Sequence, residues 1–167
     1  MASPEQLAAL KIVVPAAQES AQRWGVPASV TLAQWIVESS WGESKLAILA
    51  NNFFGVKALQ PNTPDTYEEF PTAEYEGGKR VIVAALFQKY ATEAGSFDEH
   101  ARLLATAARY KPAMAVAHIP TAFACALQKC GYSTSPTYAA GLSELIREFN
   151  LTQYDTVPPA AAQEQAA

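Results

Sequence analysis

The sequence predicts an α+β fold, mostly helical, with helices gathered around one small β-hairpin. Three observations carry this. Apolar residues recur at helical spacing over most of the chain, and β-formers crowd both sides of the Gly77-Gly78 pair. The 167 residues, half of them apolar and 17% charged, suffice for one domain with a sizeable core. The net charge of -4 comes with no basic block and no Arg-aromatic interleaving, which argues against nucleic acid as a partner. No apolar run nears the ~18 residues of a membrane span, so no membrane insertion is expected.

The first helix carries Leu7, Leu10, Val14, Ala17, Ala21 and Trp24 at helical spacing. Ser3 stands as cap, Pro4 in the first turn, and Gly25 stops it. Pro15 lies inside, so a kink or a break into two abutting helices is expected. Pro27 opens a second helix, "PASVTLAQWIVESS", apolar nearly all round and therefore central, with Gly42 ending it. "SKLAILANN" is a short third helix behind a Ser44 cap, left through "NNFFGVKA".

The hairpin follows in "TYEEFPTAEYEGGKRVIVAALF", where Pro71 marks the first arm as irregular or as an edge strand. Helical periodicity resumes in "SFDEHARLLATAARY", with Ser96 and Glu99 as a capping box. Another helix runs from Pro120 to Cys130 and is closed by Gly131. Ser135 and Pro136 begin the last, which aligns Tyr138, Leu142, Leu145, Ile146 and Phe149 on one stripe. Residues 1–154 thus make one domain. Residues 155–167, "DTVPPAAAQEQAA", read as a disordered tail or a linker.

Cys125 and Cys130 are five apart, on different helix faces and too distant for easy bridging, so two buried or half-buried free thiols are expected. With His100 and His118 scattered, no metal-ligand pattern arises, and no cofactor is implied.

The chemistry concentrates in "WIVESSWGES". Glu38 sits near the C-terminus of an apolar helix, where the helix dipole opposes negative charge. An apolar surround raises a carboxyl pKa, which is what a general acid working near neutral pH requires. The plain alternative is a glutamate solvated at a helix end. Glu43 reads as solvated surface.

"LAQWIVESSWGESKLA…NNFFGVKA" resembles the glucosaminidases of glycoside hydrolase family 73, whose pattern is L-A-Q-x-x-x-E-S-x-W-G followed by N-N-x-F-G-x-K. "TAEYEGG" resembles the family's T-x-E-y-x-x-G, and "FQKY" stands where F-R-x-Y is usual. "GYSTSPTYAAGLSELI" is similar to G-Y-A-T-D-P-x-Y-A-x-K-L-x-x-x-I. E-S-x-W-G alone is weak, since lytic transglycosylases carry a similar run; four blocks in order, over residues about 10 to 150, are specific.

The resemblance implies a lysozyme-like fold, with a helical lobe and a β lobe flanking a cleft. It implies cleavage of peptidoglycan glycan strands by an endo-β-N-acetylglucosaminidase, at the β-1,4 bond from N-acetylglucosamine to N-acetylmuramic acid. The general acid falls on Glu38 and the second carboxylate on Glu74. Glu68, Glu69 and Glu76 are rivals to Glu74; alternation places Glu74 and Glu76 on one face of the arm, and only the resemblance selects Glu74. Tyr132 aligns with a cleft tyrosine, in a place to bond the N-acetyl group or a water, or else to pack on the core. Asn51, Asn52, Phe54 and Tyr138 are the candidate substrate-binding residues; core packing suits Phe53 and Phe54 equally well. Trp41 reads as core before platform. Ser135 replaces the family's usual Asp, which puts in doubt only a catalytic use of that Asp.

Two other functions fit parts of the pattern: a lytic transglycosylase leaving anhydro-muramic ends, and a cell-wall-binding module without chemistry. "MASPEQLAAL" shows no secretory signal. A monomer acting on the bacterial cell wall is therefore expected to arrive without a cleaved signal, as a phage endolysin or an injected effector would. An immunity or delivery partner is left open.

Overall fold

A computed structural model of the protein describes residues 2–58, 66–76 and 79–155, with the backbone alone for 73–76 and 80. Helix α1, Pro4–Trp24, starts with a reciprocal cap: Ser3 Oγ accepts from the Gln6 N–H, and Gln6 Oε1 accepts from the Ser3 N–H. One helix runs through Pro15 without a break. Pro15 and Lys11, whose carbonyl loses its helical partner, both lie on the exposed face, where water can replace the missing bond.

Helix α2, Ala28–Ser39, is buried at every residue from Ala28 to Ile36. α1, the last two helices and the 3-10 turn Leu151–Tyr154 all pack against it. Pro27 gives α2 no side-chain cap, and in a dry setting its first N–H groups need one. Asp155 supplies it from the far end of the described chain, its Oδ1 accepting from the Ser29 N–H at 2.7 Å. Helix α3, Lys45–Ala50, begins on the predicted Ser44 cap, whose side chain accepts from the Ala47 N–H.

Strands β1, Tyr67–Glu76, and β2, Lys79–Gln88, pair antiparallel with Tyr67 opposite Gln88, forming a two-stranded sheet. Gly77 and Gly78, the predicted tip, lie outside the described residues. Pro71 sits within a continuous β1, opposite Ala84; in a two-stranded sheet each strand is an edge, which tolerates its missing N–H.

Two predicted helix starts are corrected. Helix α4, Glu93–Thr106, begins ahead of Ser96, on a Thr92 cap that accepts from the Gly95 N–H. Ser96 is already buried inside the helix, where its Oγ accepts from the Phe53 N–H at 3.2 Å, while Glu99 pairs with Arg102. After α5, Lys111–Met114, and α6, Pro120–Lys129, the last helix α7, Tyr138–Glu148, starts later than Ser135. Gln128 of α6 holds that start: Oε1 accepts from the Ala139 N–H at 2.7 Å and Nε2 donates to the Pro136 carbonyl at 3.0 Å. A cap supplied from another helix is invisible to a local reading. Cys125 is exposed rather than buried, Cys130 is half-buried, and both are free. The tail beyond Asp155 lies outside the described residues.

Candidate active site

The site is built from the way α2 ends. Ser39 Oγ donates to the Trp35 carbonyl at 2.6 Å and accepts from the Gly42 N–H at 2.8 Å. Ser40, Trp41 and Gly42 then follow one another in the left-handed region, with φ of 52°, 63° and 84°. That conformation costs Ser40 and Trp41 energy, and packing holds Trp41 in it: its ring meets Trp35 edge-on at 6.1 Å and Phe149 at 5.2 Å. A Cβ on Gly42 would lie 3.2 Å from the Trp35 ring. Ser39, Trp41 and Gly42 therefore stop the helix just after Glu38. Trp41 is a packing residue, and Glu43 is exposed.

Glu38 opens onto a groove of about 760 Å³ whose lining includes Phe54, His100, Arg109, Tyr110 and Tyr132. The carboxylate is reachable by solvent, yet the surrounding walls withdraw enough water to raise its pKa above the ordinary value of 4.5. Tyr138 opposes that rise, its hydroxyl donating to Glu38 Oε1 over a long 3.4 Å. Desolvation prevails. A glutamic acid so placed holds its proton to higher pH than an ordinary carboxyl group and faces the groove.

Tyr132 and Tyr138 stand beside it as a stacked pair with ring centroids 5.5 Å apart. Burial raises both phenol pKa values, so both stay protonated as donors. Phe54 lies flat on the His100 ring at 3.9 Å, forming wall and core at once. Asn51 and Asn52 spend their amides on the backbone. Asn51 Nδ2 donates to the Tyr90 carbonyl. Buried Asn52 donates to the carbonyls of Val56 and Gln88 and accepts from the Val56 N–H, tying the loop after α3 to β2. Glu74 and Glu76 lie in β1, opposite Val81 and Lys79, with side chains outside what is described. Of the rivals, Glu68 pairs with Lys89 at 3.6 Å and Glu69 is exposed.

Sequence reasoning missed Gln34. It is fully buried one helical turn before Glu38, with its amide between His100 and Tyr138 at 3.0 Å each. A glutamine inside a helix apolar nearly all round was the available signal. The groove also carries Lys57 and Arg109, the latter over the Tyr110 ring at 4.4 Å, while Arg102 is held bidentate by Glu99.

Residues 14–151 match the family model described as mannosyl-glycoprotein endo-beta-N-acetylglucosaminidase. The chain belongs to the glucosaminidase family, glycoside hydrolase family 73. The chain is 41% identical over 143 residues to the exo-glucosaminidase LytG of Bacillus subtilis, covering 83% of this chain and 49% of LytG. It is 33% identical to the peptidoglycan hydrolase FlgJ of Pseudomonas aeruginosa, over 84% of this chain and 36% of FlgJ. The chain thus spans about half or less of the length of these curated relatives. Among solved structures it superposes on the catalytic domain of the autolysin Auto from Listeria monocytogenes, with a TM-score of 0.80, 28% identity and coverage of 93% and 90% of the two chains. The chain therefore has the expected lysozyme-like fold.

Proposed function

We propose that this chain hydrolyses peptidoglycan at the β-1,4 bond between N-acetylglucosamine and N-acetylmuramic acid, with Glu38 as general acid and Glu74 as second carboxylate. The observation that carries the reading is Glu38 itself, a carboxyl group whose pKa is raised by partial desolvation, at the end of a core helix and open to a groove. In the reaction its proton passes to the glycosidic oxygen as the bond to the anomeric carbon breaks. Water adds to that carbon and yields its proton to Glu74, which releases it to solvent while solvent reprotonates Glu38; or the substrate acetamide attacks first, oriented by Glu74, and water then opens the resulting oxazoline and returns its proton to Glu38. The Tyr138 hydroxyl stabilises the Glu38 carboxylate left behind, and Tyr132, which lines the same groove, is assigned to bond the N-acetyl group or a water.

Hydrolase names among the relatives support peptidoglycan as substrate and the bacterial cell wall as the place of action. The test is mass spectrometry of muropeptides released from purified peptidoglycan by wild type and by Glu38→Gln. Reducing N-acetylglucosamine ends from wild type, and a loss of about 10²–10⁴ in rate for the folded variant, are expected. Anhydro-muramic ends would make the enzyme a lytic transglycosylase. Digestion by Glu38→Gln within a few-fold of wild type would remove Glu38 from its role. The length of the fragments separates endo-cleavage from the exo-action named for LytG.

A further inference from the structure

We infer that Gln34 and His100 are positioning residues for the general acid, a buried pair that forces the Tyr138 hydroxyl to donate to Glu38. The inference builds on Glu38 being that acid. Three hydrogen bonds run in one direction. His100 Nε2 meets Gln34 Oε1 at 3.0 Å, Gln34 Nε2 donates to Tyr138 Oη at 3.0 Å, and Tyr138 Oη donates to Glu38 Oε1 at 3.4 Å. The direction follows from chemistry. An amide oxygen only accepts, so His100 must carry its proton on Nε2. Complete burial with no charged partner keeps that ring neutral, pushing its pKa down to about 3, and Phe54 stacked on it fixes its plane.

With its oxygen facing His100, the Gln34 amide presents its NH₂ to Tyr138. Tyr138 Oη then accepts from Gln34 and from the Tyr132 hydroxyl bonded to it, and its own proton goes to Glu38. Glu38 Oε1 is thereby an acceptor, and the acid's proton is left to Oε2. Without Gln34 the phenol could turn and accept from the protonated carboxyl, hiding the proton the substrate needs. Tyr132, whose phenol pKa is raised by burial, and Tyr110 pack against the same rings, and Lys57, Glu99, Arg102 and Arg109 are the charged groups that line the groove with Glu38.

The experiment is a set of pH–rate profiles on purified peptidoglycan for wild type, Gln34→Met, Tyr138→Phe and the double variant, with melting curves to establish folding. Tyr138 lowers the Glu38 pKa, so losing its bond raises that pKa. The limb on which activity falls as Glu38 deprotonates should therefore move to higher pH in Gln34→Met and in Tyr138→Phe. At the optimum kcat should fall about tenfold with KM little changed. On the Tyr138→Phe background, Gln34→Met should move the limb no further, since both remove one bond. Should Gln34→Met fail to fold, the isosteric Gln34→Glu serves: its carboxyl group accepts from Tyr138, turns the hydroxyl away and gives the same loss. A folded Gln34 variant with the wild-type limb and kcat would overturn the inference, as would additive shifts in the double variant. An active Glu38→Gln would instead overturn the reading beneath it.

Discussion

Glu38 and Glu74 stand on supports of opposite kind. Glu38 ends a helix whose first nine residues are buried, which is stopped by Ser39, Trp41 and Gly42 and braced by Tyr138. Glu74 stands on a two-stranded hairpin, away from the end at which residues 56–58 pair with β2. The Asn52 clamp on Gln88, with the backbone bonds from Gln88 N–H to the Val56 carbonyl and from Ala58 N–H to the Leu86 carbonyl, fastens the hairpin at the end far from Glu74. The difference teaches a division of labour. On the proposed reading, the proton donor takes a fixed position from a core helix, and the second carboxylate is carried by a hairpin held at its base.

The comparison breaks first at Glu74. Turnover of Glu74→Gln should fall by about 10²–10⁴, nearly as far as Glu38→Gln, because water activation and acetamide orientation both need it. Glu76→Gln should stay close to wild type on the same peptidoglycan preparation. An active Glu74→Gln enzyme making anhydro ends would leave α2 as the whole catalytic apparatus.

The joint between the regions is Asn52. Asn52→Ala leaves the Val56 N–H and the carbonyls of Val56 and Gln88 without their amide partner, at a cost of roughly 2–4 kcal/mol by thermal or denaturant melting. In hydrogen exchange of the wild type, residues 67–76 and 79–88 should lose protection before residues 28–39, and Asn52→Ala should widen that gap. Equal protection in both elements would contradict a hairpin more easily opened than α2. Gly42→Ala probes the other side at smaller cost. A positive φ and a Cβ 3.2 Å from Trp35 should cost about 1–3 kcal/mol and disturb Glu38 through the turn that follows it.

What was legible in the sequence was what neighbours in the chain decide. The Ser3 and Ser44 caps, the apolar run of α2 and the β-formers around Gly77-Gly78 act over a few residues, and the first helix, central helix and strands stand where they predict. The starts of α4 and α7 were misread because Ser96 bonds to Phe53 and Gln128 caps Ala139, contacts made across the fold. Glu38 could be picked out because a carboxylate at the end of a buried helix is anomalous on local grounds. The bracing beneath it was hidden, since Gln34 and His100, 66 positions apart in sequence, meet only once the chain folds back. Asn51 and Asn52 drew notice as amides near a cleft, and their bonds to the backbone emerge only once the hairpin is in place.

The most direct measurement of the central claim is the titration of the Glu38 carboxyl carbon by NMR in the wild-type protein, with Glu38→Gln to assign the signal. Desolvation raises this group's pKa in the folded state, so the folded protein holds the proton to higher pH than the unfolded chain does. The stability this lends is full below the unfolded value and fades as pH rises through the folded one, a loss that Glu38→Gln escapes. The account predicts a midpoint above 4.5, coinciding with the pH at which hydrolysis declines on the alkaline side. A midpoint at or below 4.5 would mean that α2 delivers a carboxylate to the groove and no acid, and would contradict it.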